Sequence, residues 1–206
     1  MRRTSLLASL LLGACASTPT AGSDASGPRA ADYAPLEVGA SWTYKMNFQG
    51  QQGEQTVEVL SKTDDGYFRD NQQGELRHVN DGLRDRARYL IQEPLAPGQT
   101  WKAIVSASAV ERYRIDSVGE RCSAAAGSFD DCLVVTSEIR RDENVTLHAR
   151  FTWAKGVGLV KMETEAEIQG KRTPQTKRSL LRYSLASDAA ASGGQEEEGA
   201  PDDWER

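Results

Sequence analysis

Long apolar runs are missing from this chain. Its most apolar stretch is Leu6 to Leu12, far short of the roughly 20 residues that a membrane-crossing helix needs. Histidine is scarce. His78 and His148 are the two, neither has a second ligand-type side chain close in sequence, and both are expected on wet strand faces. G-x-S-x-G, H-E-x-x-H and phosphate-loop motifs are absent, so the sequence implies no metal, no cofactor and no enzyme activity of those kinds. After Leu12 no long stretch repeats with a helical period, which argues against a helix bundle. Basic residues are not in excess: 25 Lys and Arg stand against 30 Asp and Glu, a formal charge of −5. Nucleic acid, which favours a concentrated basic face, is not an expected partner.

What is present begins at the N-terminus. Arg2 and Arg3 precede the apolar run, and Leu12-Gly13-Ala14-Cys15 ends it. A positive end, an apolar stretch and small residues at the cut are the layout of a secretory signal. An ordinary signal has no need of a cysteine at the cut. The Leu-Gly-Ala-Cys sequence resembles the lipobox of bacterial lipoproteins. That resemblance implies cleavage before Cys15, a diacylglyceryl group on its sulfur and acylation of the new amino end. Several chains on one residue anchor stably, at about 0.8 kcal/mol per buried CH2. Ala16 and Ser17 follow, rather than the Asp that retains such proteins in the inner membrane, so the resemblance implies the outer membrane.

The expected organisation is a signal peptide over 1–14, then lipidated Cys15 with a flexible tether to residue 32. An all-β domain over 33–186 and an acidic tail over 187–206 complete it. The tether holds no large apolar side chain, cannot order itself, and reaches about 20–25 Å. Loss of residues 1–14 removes Arg2 and Arg3 and moves the charge from −5 to −7. From Asp188 onward lie seven acids and one base, so the domain itself is close to neutral. The tail is expected to be disordered and to act as a solubilising end, with Trp204 keeping a docking role open.

Alternation is the main signal in the domain. Trp42, Tyr44, Met46 and Phe48 take every second position, as do Val145 to Trp153 and Val160 to Ile168. One buried and one wet face per strand is the antiparallel pattern. Weaker strands are expected at 55–62, 66–71, 75–79, 83–91, 100–108, 111–117, 132–139 and 179–185. Asp65-Gly66 and Asp81-Gly82 supply hairpin turns. The expected fold is an all-β antiparallel meander of ten or eleven strands, an open or half barrel. Pro35-Leu36…Gly39…Trp42 recurs as Pro94-Leu95…Gly98…Trp101, which fits either two related half-sheets or convergent turn chemistry. With Gly156-Val157-Gly158-Leu159-Val160-Lys161, this opening resembles a broad set of uncharacterised β-rich bacterial envelope proteins. That resemblance brings no active residues with it.

Cys122 and Cys132, an even pair in an exported domain, read as a disulfide. Asp64-Asp65 and Asp130-Asp131 fit turns better than a cation site. Arg84, Arg86 and Arg88 alternate, as do Arg112 and Arg114, so a strand would line each set on one face toward an anionic partner. The competing reading is a wet face whose charges pair with Glu163, Glu165 and Glu167. Trp101, Ala103, Val105, Ala107 and Ala109 present small side chains that either leave an apolar cavity or let another layer pack closely. The expected role is a non-enzymatic binding or scaffolding lipoprotein of the envelope. It is held by Cys15 and takes an envelope protein, glycan or lipid. A carrier of an apolar ligand inside the curved sheet is the alternative. An enzyme would need a cleft gathering Glu93 or Asp116 with His78 or His148.

Overall fold

The computed structural model describes residues 27–106 and 109–186. The signal peptide, Cys15, most of the tether, Ala107 and the acidic tail with Trp204 lie outside the described residues. A one-turn helix, α1 (Ala30–Tyr33), precedes twelve strands. They are β1 (Ser41–Phe48), β2 (Gln51–Lys62), β3 (Phe68–Asp70), β4 (Glu75–Val79), β5 (Gly82–Arg84) and β6 (Tyr89–Gln92). The second half holds β7 (Thr100–Ser106), β8 (Ala109–Ala124), β9 (Gly127–Arg140), β10 (Val145–Ala154), β11 (Gly158–Ile168) and β12 (Lys171–Ser184).

All neighbours pair antiparallel in the order β6-β5-β4-β3-β2-β1-β12-β11-β10-β9-β8-β7. Every sequential pair is thus a ladder except β6 and β7, while the first and last strands join, with Ser41 opposite Ser184. The result is a nearly closed, barrel-like sheet with one seam, rather than a half barrel of ten or eleven strands. The extra strand comes from residues 83–91. Asp85 accepts the N–H groups of Ala87 and Arg88, both at 2.7 Å, and this side-chain turn splits the segment into β5 and β6.

The recurring Pro-Leu…Gly…Trp turns have the same geometry. Gly39 and Gly98 sit at φ +90° and +89°, a region open to glycine. Gly39 N–H donates to Val59 O and Gly98 N–H to Ile115 O, each at 2.8 Å. Val59 N–H returns to Ala40 O and Ile115 N–H to Gln99 O, each at 2.9 Å. Each turn therefore hooks onto the second strand of its half and starts the first, β1 or β7. Both tryptophans donate to a distant carbonyl: Trp42 Nε1–H to Val157 O at 2.6 Å and Trp101 Nε1–H to Tyr89 O at 3.0 Å. The two turns are thus alike, while the strands beyond them differ: β3 to β6 are short and β9 to β12 long.

Two apolar clusters hold the sheet. One joins Tyr33 of α1 to Leu83, Ile91, Trp101, Tyr113, Ile115, Leu133, Val135 and Trp153. The other gathers Trp42, Tyr44, Val59, Val160 and Leu180 around Cys132 and Ala154. Ala30 and Tyr33 are buried, so the packed part begins within the expected tether. Glu93 fixes α1 by accepting Ala30 N–H at 2.8 Å and pairing with Arg29 at 2.8 Å. Ala103 packs against the first cluster, the close-packing outcome for the small-residue strand, whereas Ile104 and Val105 are exposed.

Candidate functional site

Six consecutive strands, β7 to β12, carry a polar face on the side away from the first apolar cluster. Cross-strand register builds it in rows. Lys102, Arg112, Glu138, His148, Glu165 and Pro174 lie opposite one another in turn. One step along, Thr100, Arg114, Thr136, Arg150, Glu163 and Lys177 form the next row. Strand alternation puts both rows on one face and leaves Trp101, Tyr113 and Ser137, between them, for the other. The two rows line an open trough of about 1090 Å³.

The trough's charges are mostly committed to one another. Arg150 Nη1 donates to Asp116 at 2.8 Å, and Thr136 Oγ1 donates to the same carboxylate at 3.1 Å. Lys177 pairs with Glu163 at 3.0 Å. Arg172 meets Glu167 at 3.0 Å and Glu165 at 3.8 Å, and His148 Nε2 lies 3.0 Å from Glu167. Arg172 first, and then His148, hold the Glu167 carboxyl below the usual range. So Glu163, Glu165 and Glu167 do have basic complements, but these come from β10 and β12. Arg114 only just reaches Asp116, at 4.0 Å. Among the described residues, Lys102 and Arg112 have no ion-pair partner.

The stripe expected from Arg84, Arg86 and Arg88 does not form. Arg84 ends β5, and the other two lie in the turn that Asp85 shapes, so no strand alternation applies to them. Arg84 lies over the Tyr89 ring at 5.4 Å. Arg86 pairs with Asp65 and Glu75 and stacks 3.8 Å from the centre of Tyr67. The Arg86 guanidinium pulls Asp65 down to about 2. Arg88 pairs with Asp85 and with Glu111. Arg112 and Arg114, by contrast, share the trough face as alternation requires. Lys102, Arg150, Arg172 and Lys177 complete that face. Their signal was the same alternation, but only the register of six strands brings them together.

Cys122 and Cys132 are disulfide-bonded, with Cα atoms 6.0 Å apart, inside the long β8–β9 hairpin rather than at strand ends. Asp130 and Asp131 sit in β9, not in a turn; Asp131 accepts the Tyr33 hydroxyl at 2.7 Å and meets Lys155 at 3.3 Å. His78 is not on a wet face. Its Nε2 lies 2.8 Å from Ala34 O, and burial pushes its pKa below the ordinary value. Neither histidine contacts Asp116, which is held by Arg150 and Thr136. No group of three His, Cys, Asp or Glu side chains suited to a metal occurs among the described residues. No described helix is long and apolar enough to cross a membrane.

No family model matches the chain, and no curated protein matches it significantly. A crystal structure of a "putative lipoprotein" from Parabacteroides distasonis is similar over 74% of this chain and 98% of its own. Identity is 13% and the TM-score 0.39, and the two superpose too loosely for the likeness to bear on fold or role.

Proposed function

We propose that this chain is a lipid-anchored lipoprotein of the bacterial envelope, on the outer membrane, whose β-sheet body is a non-enzymatic binding or scaffolding module. The anchor reading is supported by Arg2-Arg3, the short apolar run and Leu-Gly-Ala-Cys ending at Cys15. The binding reading is carried by one observation: a trough of about 1090 Å³, open among the described residues and walled by ionic side chains of six adjacent strands. Such a surface suits a polar, charged partner such as an envelope protein, glycan or lipid headgroup better than an apolar cargo. The packing of Ala103 against the first apolar cluster also weighs against a carrier.

Tryptic digestion tests the anchor. The peptide Cys15–Arg29 is expected to carry the mass of a diacylglyceryl group plus an amide-linked acyl chain, and Cys15→Ser is expected to move the protein from the membrane to the soluble fraction. An unmodified peptide, or a Cys15→Ser protein that stays membrane-bound, overturns it. For the trough, a partner that copurifies with the lipidated protein should be lost from the double variant Arg150→Glu, Lys177→Glu. It should be kept by Arg69→Glu, which lies in another part of the sheet.

A further inference from the structure

The β7–β8 corner of the trough holds an arrangement that folding alone does not favour. Lys102 on β7 lies directly opposite Arg112 on β8. Side chains so placed have Cβ atoms about 4.5–5.5 Å apart, and like charges there are destabilising. Arg114, one step along the same face, adds a third cation. The acids nearby offset them only in part. Asp116 is already bound by Arg150 at 2.8 Å and Thr136 at 3.1 Å, with Arg114 4.0 Å away. Glu138 is paired by register with Arg112, yet no ion pair joins them among the described residues. Elsewhere in the trough the cations do have partners: Lys177 has Glu163, Arg172 has Glu167 and Arg150 has Asp116. Within the trough the repulsion is confined to this corner, and all three side chains line the trough.

We propose that Lys102, Arg112 and Arg114 form an anion site for a phosphoryl group, on a lipid headgroup or as free phosphate. This assignment rests on the reading of the trough as a binding surface. Two guanidinium groups offer forked donors that match phosphate oxygens, and a lysine adds a point charge. A free phosphate carries up to two negative charges and a phosphodiester headgroup one, and both present several acceptor oxygens to three weakly compensated cations. The exposed Thr100, opposite Arg114, places a hydroxyl at the same corner. Binding would relieve the Lys102–Arg112 repulsion, so ligand affinity and sheet stability are linked.

The test uses the full lipidated chain in a non-ionic detergent, in phosphate-free buffer at low salt. Inorganic phosphate and short-chain phosphatidylglycerol are titrated separately by calorimetry, and urea midpoints are measured with and without each. Either ligand should bind the parent and raise its midpoint. Arg112→Gln should weaken binding at least tenfold and abolish that rise, while leaving the ligand-free midpoint equal to or above the parent's. Lys102→Gln should do the same. Binding by phosphate assigns the site to the free ion, and binding by the lipid alone assigns it to a headgroup. Absence of binding by both overturns the proposal, as does a lower ligand-free midpoint in both variants. If Cys15–Arg29 is lipidated while neither ligand binds, the anchor stands and the site falls. If the partner copurification survives disruption of Arg150 and Lys177 while phosphate binds, the wider trough reading falls and the corner stands.

Discussion

Arg88 and Glu111 face each other across the one place where the barrel has no backbone ladder. Arg88 belongs to the β5–β6 turn and Glu111 to β8, two strands beyond the gap on the other side. The Glu111 carboxylate is buried and also accepts the Ser137 hydroxyl at 2.8 Å. Together with Trp101 Nε1–H on Tyr89 O, this ion pair bridges the seam between β6 and β7.

Arg88→Ala leaves Glu111 buried with only a hydroxyl to answer its charge. The expected loss is about 2 kcal/mol, given that Arg88 is itself partly solvated. In a Glu111→Gln background the same change should cost much less, because the stranded charge is gone. A double-mutant cycle by urea denaturation checks this. Additive losses would show that the two residues do not act together.

Acid should loosen the body through His78. In the folded state the neutral ring donates from Nε2 to Ala34 O, while Nδ1 is buried without a partner. Burial lowers its pKa, outweighing the Ala34 carbonyl and the Glu93 carboxylate. The unfolded chain takes up this proton near pH 6.5, and the folded one only at lower pH. The unfolded state therefore binds more protons in that window, and stability falls as pH drops from about 7 toward the native pKa. Urea midpoints from pH 7.5 to 5.5 should show the decline, and His78→Phe should flatten it.

Reduction of Cys122–Cys132 should lower the melting temperature. The bond spans a separation of 10 residues, for which chain entropy sets a ceiling of about 2.7 kcal/mol. The bond acts chiefly by restricting the unfolded chain, so the measured loss should stay within that ceiling although β8 and β9 pair around it in the folded state. Thermal melts with and without reductant decide it; free thiols in the oxidised protein would remove the basis for the effect.

Gly158→Ala should cost about 2 kcal/mol. Gly158 has φ +112°, and an added Cβ would lie 3.0 Å from Trp42 Nε1, the atom that donates to Val157 O. The same substitution at Gly53, where a Cβ meets nothing, should be close to neutral by comparison. Matching urea midpoints for the two variants would contradict this account of the Trp42 contact.

The strands that alternate cleanly were readable in advance. Trp42, Tyr44 and Met46 set β1, and Val145 to Trp153 set β10, because one face is apolar and the other polar throughout. The β8–β9 hairpin is longer than its alternating residues indicate. Its distal part, residues 119–130, is rich in Ala, Gly and Ser and looks like loop, yet it is held as ladder around Cys122 and Cys132. The arginines at 84, 86 and 88 misled because alternation persists through a turn, and only Asp85's side-chain hydrogen bonds break it. Half of the trough was visible in Arg112 and Arg114. Lys102 was not, since its place beside Arg112 depends on the β7–β8 register, which a local pattern does not specify.

The pairing of Ser41 with Ser184 makes the first and last strands of the chain neighbours at the middle of the sheet, while residues 93–99 carry the chain between its two edges, β6 and β7. Covalent continuity and sheet continuity are thus out of phase by half a turn of the barrel. A circular permutant that joins β12 to β1 by a short linker and opens between β6 and β7 would make every hydrogen-bonded neighbour consecutive in the chain. It would have the same ladders with closer-spaced contacts, and it should refold faster than the native order.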